Sequence, residues 1–483
     1  MKQYERSLGL TVLVCAVLLS ASCAQSDTMT EIPADTAAAH TESMTAETGS
    51  SYPVLPEMDL GGKTVNVLLR SEWNYEFMVE EETGDTVSDA ILARNRNVEE
   101  NYNMKLTFFD FPGAWGNHTD FANRIHNSVL AADGAYDIVI GYQACLPFNI
   151  SYGDMMNLTE LPYLQFDAPW WTRQGVEVLT VNDRCYMLGG DLAVSLLEGI
   201  FCMYYNKTLA ENYEIEDLYG LVRSGTWTHE AMMRVIRGTA QDLDGDNKWT
   251  SGDRYGLVTA DGYIRPYVVV YETPTLSVAE DHFELVWDSE HTAAVVEKLV
   301  DMAYDEDVTF ASDWASVDTL FRNGQVLLTP SMLGKASIFR EMEDDFGIIP
   351  YPKYDESQES YATTTLNEVS MVSIPITAPD PEMSALLTEA LCRESHITVA
   401  PAFYEIALKG KYTRDENSVE MIELIRDSLS FDIGWINSVI SGVSGAQYYN
   451  LVKEKKKDFS SWYASNASSI AEKVEALEEI YFH

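Results

Sequence analysis

The sequence predicts an α/β protein of more than one domain, its parallel sheets covered by helices on both faces. Three observations point there. The chain has 483 residues, 46% apolar and 11% aromatic, which is too long for one core and enough for two or three. Beyond a polar N-terminal stretch, apolar runs of strand period and helix period alternate, the pattern of a parallel sheet with crossover helices. The third is Cys185–Lys207 (CYMLGGDLAVSLLEGIFCMYYNK), which holds an unbroken apolar run from Ile200 to Tyr205, suited to a strand buried on both faces. The Gly189-Gly190 break before that run suits a backbone that changes direction where two lobes meet.

The elements follow in order. Lys2 and Arg6 precede an apolar run from Leu8 to Leu19 and then Ser20-Ala21-Ser22-Cys23. This is a secretory signal peptide over 1–22, too short for a membrane span. Leu19–Cys23 resembles a bacterial lipobox, with Ser20 where Leu is usual, so Cys23 is expected to carry the lipid. Residues 23–57, rich in Ser, Thr, Ala and Glu, read as a disordered tether. Val65, Val67 and Leu69 mark a strand, 85–102 a helix, Met104, Leu106 and Phe108 a second strand. Phe121, Ile125 and Val129 mark a helix, and Tyr136–Ile140 a third strand. Thr228 can cap a helix through Ile236. Helices are expected over 290–304 and 315–323, and strands over 325–329, 346–349 and 370–376. The remainder reads as helix over 382–393, 399–408, 416–428 and in a long tail.

The strand ending Tyr205-Asn206-Lys207, with Tyr136-Asp137-Ile138-Val139, Gly225-Thr226-Trp227-Thr228, Phe321-Arg322-Asn323-Gly324 and Phe346–Pro350, resembles the family 1 extracellular solute-binding proteins of bacterial ABC sugar importers. The resemblance spans about 60–480. It implies a two-lobe periplasmic-binding-protein-like fold, each lobe a mainly parallel sheet flanked by helices, with a cleft and hinge between. Chain passages near 190, 312 and 360 would give lobe 1 residues 58–190 and 312–360, and lobe 2 residues 191–311 and 361–483. It implies a carbohydrate ligand, most naturally an oligosaccharide, handed to the permease subunits of an ABC transporter by a monomeric receptor held at the outer face of the membrane by Cys23.

Composition narrows the chemistry. Against 32 Lys and Arg stand 76 Asp and Glu, a net charge of −44 that repels nucleic acid and anionic lipid headgroups. The sequence holds no H-E-x-x-H, G-x-S-x-G, P-loop or G-x-G-x-x-G. No catalytic residue is singled out and no enzyme activity is expected. A glycan-degrading lipoprotein and an adhesive surface protein are the alternatives, separated from a receptor by turnover in one case and by avidity in the other. Of six cysteines, four remain after Cys15 and Cys23, with no C-x-x-C among them, so a zinc cluster is not expected. Cys185 and Cys202 are a candidate pair, with buried thiols the favoured state.

Two sets of residues are candidate ligand sites. Asp242, Asp244, Asp246, the Lys248 carbonyl, Thr250 and Asp253 occupy positions 1, 3, 5, 7, 9 and 12 of a loop resembling an EF-hand or dockerin loop, which suits a structural Ca²⁺. Asn247 stands where Gly is usual. The second set lines the cleft, where ligands of open α/β sheets collect at strand ends. Aromatic rings stack on the flat faces of sugars while a few polar groups orient them. Trp73, Tyr142, Tyr263 and Trp435 fit the first role, and Glu72, Gln143 and Asp261 the second, with Ser331 near the hinge. Trp227, Trp287 and Trp462 read as core, and Trp170-Trp171 as loop packing.

Overall fold

Lys63–Arg70 (KTVNVLLR) forms β1, whose Val65, Val67, Leu68 and Leu69 are all buried. Apolar side chains on both faces fit a strand covered on both sides by helices. Helix Thr86–Tyr102 follows, its N-terminus capped by the Asp85 carboxylate, which accepts the Ser88 N–H at 2.9 Å. Asn103, in the left-handed conformation (φ 44°), ends it. β2 (Met104–Phe111) returns parallel to β1, from Lys63↔Met104 to Arg70↔Phe111. After helix His118–Ala131, β3 (Ile138–Tyr142) pairs parallel to β1 on its other side. The expected strand–helix alternation is therefore present, with the third strand two residues later than its sequence signal.

This computed structural model describes residues 52–310, 313–413 and 415–483. The expected signal peptide, Cys23 and most of the expected tether lie outside the described residues.

The second sheet begins with β4 (Phe201–Asn206). Asn206 ends this strand and caps helix Lys207–Asn212, its Oδ1 accepting the Leu209 N–H at 2.9 Å. β5 (Tyr255–Thr259) follows, then a small hairpin of β6 (Leu276–Val278) and β7 (Phe283–Leu285). β8 (Val308–Phe310), β9 (Val326–Met332) and β10 (Phe346–Ile349) complete the sheet in the order β10-β4-β9-β5-β8. The chain then returns to the first sheet, where β11 (Ser370–Ser373) lies antiparallel to β3 and gives the order β11-β3-β1-β2.

This topology corrects the expected lobe boundaries. Residues 312–360 hold β9 and β10, which pair with β4 and β5 in the second sheet, not the first. β11 and helix Pro381–Ile397, which packs on helix 86–102, belong to the first. The strands on either side of 312 both lie in the second sheet, so no passage occurs there. The lobes are joined instead by segments 199–201 and 363–366, with 428–430 alongside. Phe201 N–H donates to Thr364 O (3.0 Å), Leu366 N–H to Gly199 O (2.8 Å), and Ser430 N–H to Thr363 O (2.7 Å).

Gly189 and Gly190 serve the core of the first lobe rather than the passage. A Cβ on Gly190 would lie 2.5 Å from the Trp170 carbonyl and 2.6 Å from the Cys392 sulfur. Trp170 and Trp171 are buried, and their indoles donate to the two oxygens of Glu389 at 2.7 and 2.9 Å. Trp227 and Trp287 are core residues as expected. Cys145, Cys185, Cys202 and Cys392 are free and buried, and burial pushes the Cys185 thiol up to about 12.

Candidate binding cleft

Parallel pairing brings the carboxyl ends of β1, β2 and β3 to one edge of the first sheet, together with the start of antiparallel β11. Four residues terminate those strands there: Arg70, Phe111, Tyr142 and Ser370. Arg70 organises the edge. Its guanidinium is buried, donates to Glu368 O (2.6 Å) and Ser370 Oγ (3.3 Å), and lies over the rings of Tyr142 (4.9 Å) and Trp73 (5.8 Å). Burial lowers its pKa from the usual guanidinium range, against the pull of nearby Glu76 and Glu368. Arg70 Nε and Gln143 Oε1 are buried without a hydrogen-bond partner among the described residues.

The loop after β2 adds a ring. Trp115 is 55% exposed, stacks on His118 at 4.6 Å and meets Tyr142 edge-on at 6.5 Å. Glu72 supports this loop, its carboxylate accepting the Gly113 N–H at 3.0 Å. Trp73 and Tyr142 thus lie together around Arg70, with Gln143 next to Tyr142 in sequence. Glu72 is a buttress. Trp115 and Arg70 were not anticipated. Trp115 follows the end of its strand just as Trp73 does, so the same positional signal would have found it.

The second sheet offers a different edge, made by the ends of β5, β8 and β9 and the start of β4. Asp261 forms an ion pair with Arg265, Oδ1 to Nε at 2.7 Å and Oδ2 to Nη2 at 2.6 Å. Tyr263 is fully buried beneath Trp314, with ring centroids 4.9 Å apart, and meets Phe201 edge-on at 6.2 Å. Gly262 makes that stack possible, since a Cβ there would lie 1.9 Å from the Trp314 ring. Ser331 is wholly buried in β9. Tyr263 and Ser331 are therefore interior groups, and the half-buried Trp314 is the ring nearer the surface, unanticipated because it opens a helix. Trp435 is buried in the short helix Ile433–Ile436, which packs on β6.

The two edges face one another. Arg265, on the second lobe, is close enough to act electrostatically on the Tyr142 hydroxyl of the first. Near the hinge, Tyr75 Oη donates to Glu198 Oε2 at 2.7 Å. The Glu198 carboxyl is pushed up to about 7, chiefly by burial, with the Glu76 charge adding to it and the Tyr75 hydrogen bond opposing it.

The acidic loop is a separate feature of the second lobe. Asp242, Asp244 and Asp246 each present a carboxylate oxygen within 4.8 Å of the others. Asp242 also accepts the N–H groups of Gly245 and Asn247, both at 2.7 Å, and Asn247 takes the left-handed conformation (φ 58°) that favours Gly at this place. Asp253 is not with them. It is buried, its oxygens accepting the N–H groups of Leu243 (3.0 Å) and Thr250 (2.7 Å), so it holds the loop in shape.

No family model matches the sequence, and no curated protein does. Solved structures do match. An extracellular solute-binding protein from Staphylococcus aureus in complex with maltose is 11% identical, with a TM-score of 0.57 over 88% of this chain and 100% of that one. The galacto-N-biose-/lacto-N-biose I-binding protein of the Bifidobacterium longum ABC transporter is 11% identical, with a TM-score of 0.55 over 86% and 98%. The GacH receptor of Streptomyces glaucescens, solved unliganded and with acarbose, is 13% identical, with a TM-score of 0.52 over 87% and 98%. Two sheets joined by a narrow hinge, and near-complete coverage of these receptors, show that the chain has the two-lobed α/β fold of the sugar-binding proteins of ABC transporters.

Proposed function

We propose that this protein is an extracellular receptor that closes its two lobes on an oligosaccharide and delivers it to the permease of an ABC transporter, carrying out no reaction itself. The observation that carries this reading is the first-lobe edge, where the Trp73 and Tyr142 rings pack on Arg70 and the exposed Trp115 meets Tyr142, while Arg70 Nε and, one residue on from Tyr142, Gln143 Oε1 are buried with no partner among the described residues. A buried polar group left unpaired costs about 1–3 kcal/mol, which a ligand hydroxyl would offset, while rings take the apolar face of a sugar. Arg265 and Trp314 come from the facing lobe, and closure about 199–201 and 363–366 would bring them to the same ligand. Neighbours of the same fold that are described with maltose, lacto-N-biose and acarbose support a carbohydrate over other solutes. The test is a thermal-shift screen against neutral oligosaccharides followed by calorimetry. A ligand that binds only the folded state must raise the melting temperature, and no shift with any glycan would sink the proposal.

The receptor would be held to the outer face of the membrane by lipid on Cys23. No helix among the described residues is long and apolar enough to cross a membrane, which fits an anchor made elsewhere in the chain. Mass spectrometry of the membrane fraction would read the acyl groups, and an unmodified Cys23 would exclude them. The acidic loop would hold Ca²⁺ through Asp242, Asp244, Asp246 and the Lys248 carbonyl. Hard oxygen ligands converging in this way suit Ca²⁺, which would relieve the repulsion among three carboxylates. Millimolar CaCl₂ should raise the melting temperature by about 1–2 °C and EDTA should reverse it. Indifference to both would remove the metal.

A further inference from the structure

At the opposite end of the second sheet from the cleft, where β5 and β9 begin, a surface hollow of about 650 Å³ opens between the loop carrying Trp249 and helix Trp314–Arg322. That volume falls within the range of small-molecule sites. Trp249 forms one wall and is 55% exposed, with Tyr255 beneath it at 5.6 Å. The remaining lining combines hydroxyl and amide groups, from Ser251, Thr309, Thr319 and Gln325 among others, with the apolar Ala315 and Leu320. Among the described residues no Asp, Glu, Lys or Arg lines it, in a chain of which 22% is charged. Hollows at Asp120–Tyr136 and Asp288–Ser460 are smaller, about 450 and 490 Å³, and are lined by charged side chains.

The wall is held in place. Tyr255 Oη donates to Thr250 O (3.1 Å), Gln325 Nε2 to Ser251 O (2.7 Å), and the Asp253 carboxylate accepts the Thr250 N–H (2.7 Å). The indole is thus presented to solvent by a loop pinned directly after it, at Thr250 and Ser251. Exposing a large ring from a fixed loop has no stability advantage, and the uncharged lining would leave an ionic ligand's charge uncompensated. A flat apolar face ringed by neutral donors and acceptors suits one chemistry in particular.

We propose that this hollow is a second binding site, for the end or a short stretch of a neutral carbohydrate chain stacked on Trp249. Its lining shares no residue with the cleft, although Ala315 and Ser316 follow Trp314 directly in the helix that connects the two. Such a site would hold the receptor on a polymer while the cleft takes up soluble fragments.

Native-gel affinity electrophoresis of the full chain, in gels containing amylopectin, laminarin, arabinoxylan or galactomannan, tests it. Three variants are compared with the parent: Trp249→Ala, Thr319→Arg, which places a long charged side chain at the rim without removing the ring, and the cleft double variant Trp73→Ala/Trp115→Ala. The expected result is retardation by at least one polysaccharide, weakened roughly tenfold by either of the first two variants and retained in the third. Trp249 and Thr319 are both exposed, so both variants should melt with the parent. Retardation that survives Trp249→Ala and Thr319→Arg, that disappears only with the cleft variant, or that is absent from every gel overturns the proposal. Retardation that depends on Trp249 in a protein that binds no soluble oligosaccharide would leave this site standing and remove the receptor reading of the cleft.

Discussion

The two facing edges of this molecule are built on different principles. On the first lobe a buried cation, Arg70, sits at the centre, and its neighbours Trp73, Trp115 and Tyr142 are arranged around it with Trp115 largely in solvent. On the second lobe the cation, Arg265, is paired with Asp261 near the surface, and the rings of Tyr263, Trp314 and Phe201 pack on each other. The first edge keeps polar valence and ring faces open at the expense of burying a charge. The second edge also buries hydroxyls with no hydrogen-bond partner among the described residues, Tyr263 Oη and Ser331 Oγ, but its rings pack on each other rather than standing open. The first lobe should therefore supply most of the affinity and orientation for a ligand, and the second a packed surface that closes over it.

Substituting the two arginines tests this most strongly. Arg70→Met removes the donor to Glu368 O and the support under two rings, and should destabilise the chain by about 3 kcal/mol and abolish cleft binding. Arg265→Met breaks a surface pair, and such pairs contribute about 0–1 kcal/mol, so urea unfolding should barely change. Equal losses in the two variants would break the comparison.

Glu198 tests the hinge between the lobes. Its folded-state carboxyl is raised from 4.5 to about 7, so the folded chain binds a proton that the unfolded chain has already lost. That contribution is fully present below about 4.5, declines as pH rises, and is gone above about 7. It amounts to about 2 kcal/mol once solvent screening is allowed for. Glu198→Gln should remove this decline in unfolding free energy, and Tyr75→Phe, which deletes the hydrogen bond that lowers the pKa, should shift it to higher pH. An unchanged pH profile in Glu198→Gln would place the titration elsewhere.

Gly262 tests the closed second edge. A methyl group there must displace the Trp314 ring, and overpacking of this kind costs roughly 1–3 kcal/mol. Gly262→Ala should lower the melting temperature, and pairing it with Trp314→Ala should recover part of the loss. A neutral Gly262→Ala would mean that Trp314 is not held against Tyr263.

Much of this was legible in the sequence, and what was missed has physical reasons. Hydrophobic period marked β1 to β3 and their helices, because those contacts are local. The lobe assignment of β9 and β10 failed because it depends on pairings such as Phe201↔Met332, more than a hundred residues apart, which no local pattern records. Trp73 was singled out by its place after a strand, whereas Arg70 carries no comparable signal, since a cation at a strand end is ordinarily solvated. Tyr263 had the right position but points into the core, since a strand end fixes where a residue lies and not which way it faces. Asp253 sits at the ligand spacing yet caps backbone N–H groups, a use of the carboxylate that spacing cannot tell from metal binding.

The finest test compares the two surface rings. Trp115 is exposed and Trp314 is half-buried on Tyr263, so truncating each should separate binding from packing. A stacked ring central to a contact contributes about 1–1.5 kcal/mol, close to tenfold in affinity. Trp115→Ala should weaken an oligosaccharide found in the thermal-shift screen roughly tenfold while the unliganded melting temperature stays within about a degree. Trp314→Ala should lower both, because it uncovers Tyr263 as well as removing a ligand face. If Trp115→Ala lowers stability as much as Trp314→Ala does, the first edge is as closed as the second, and the open face that Arg70 holds is not where the ligand sits.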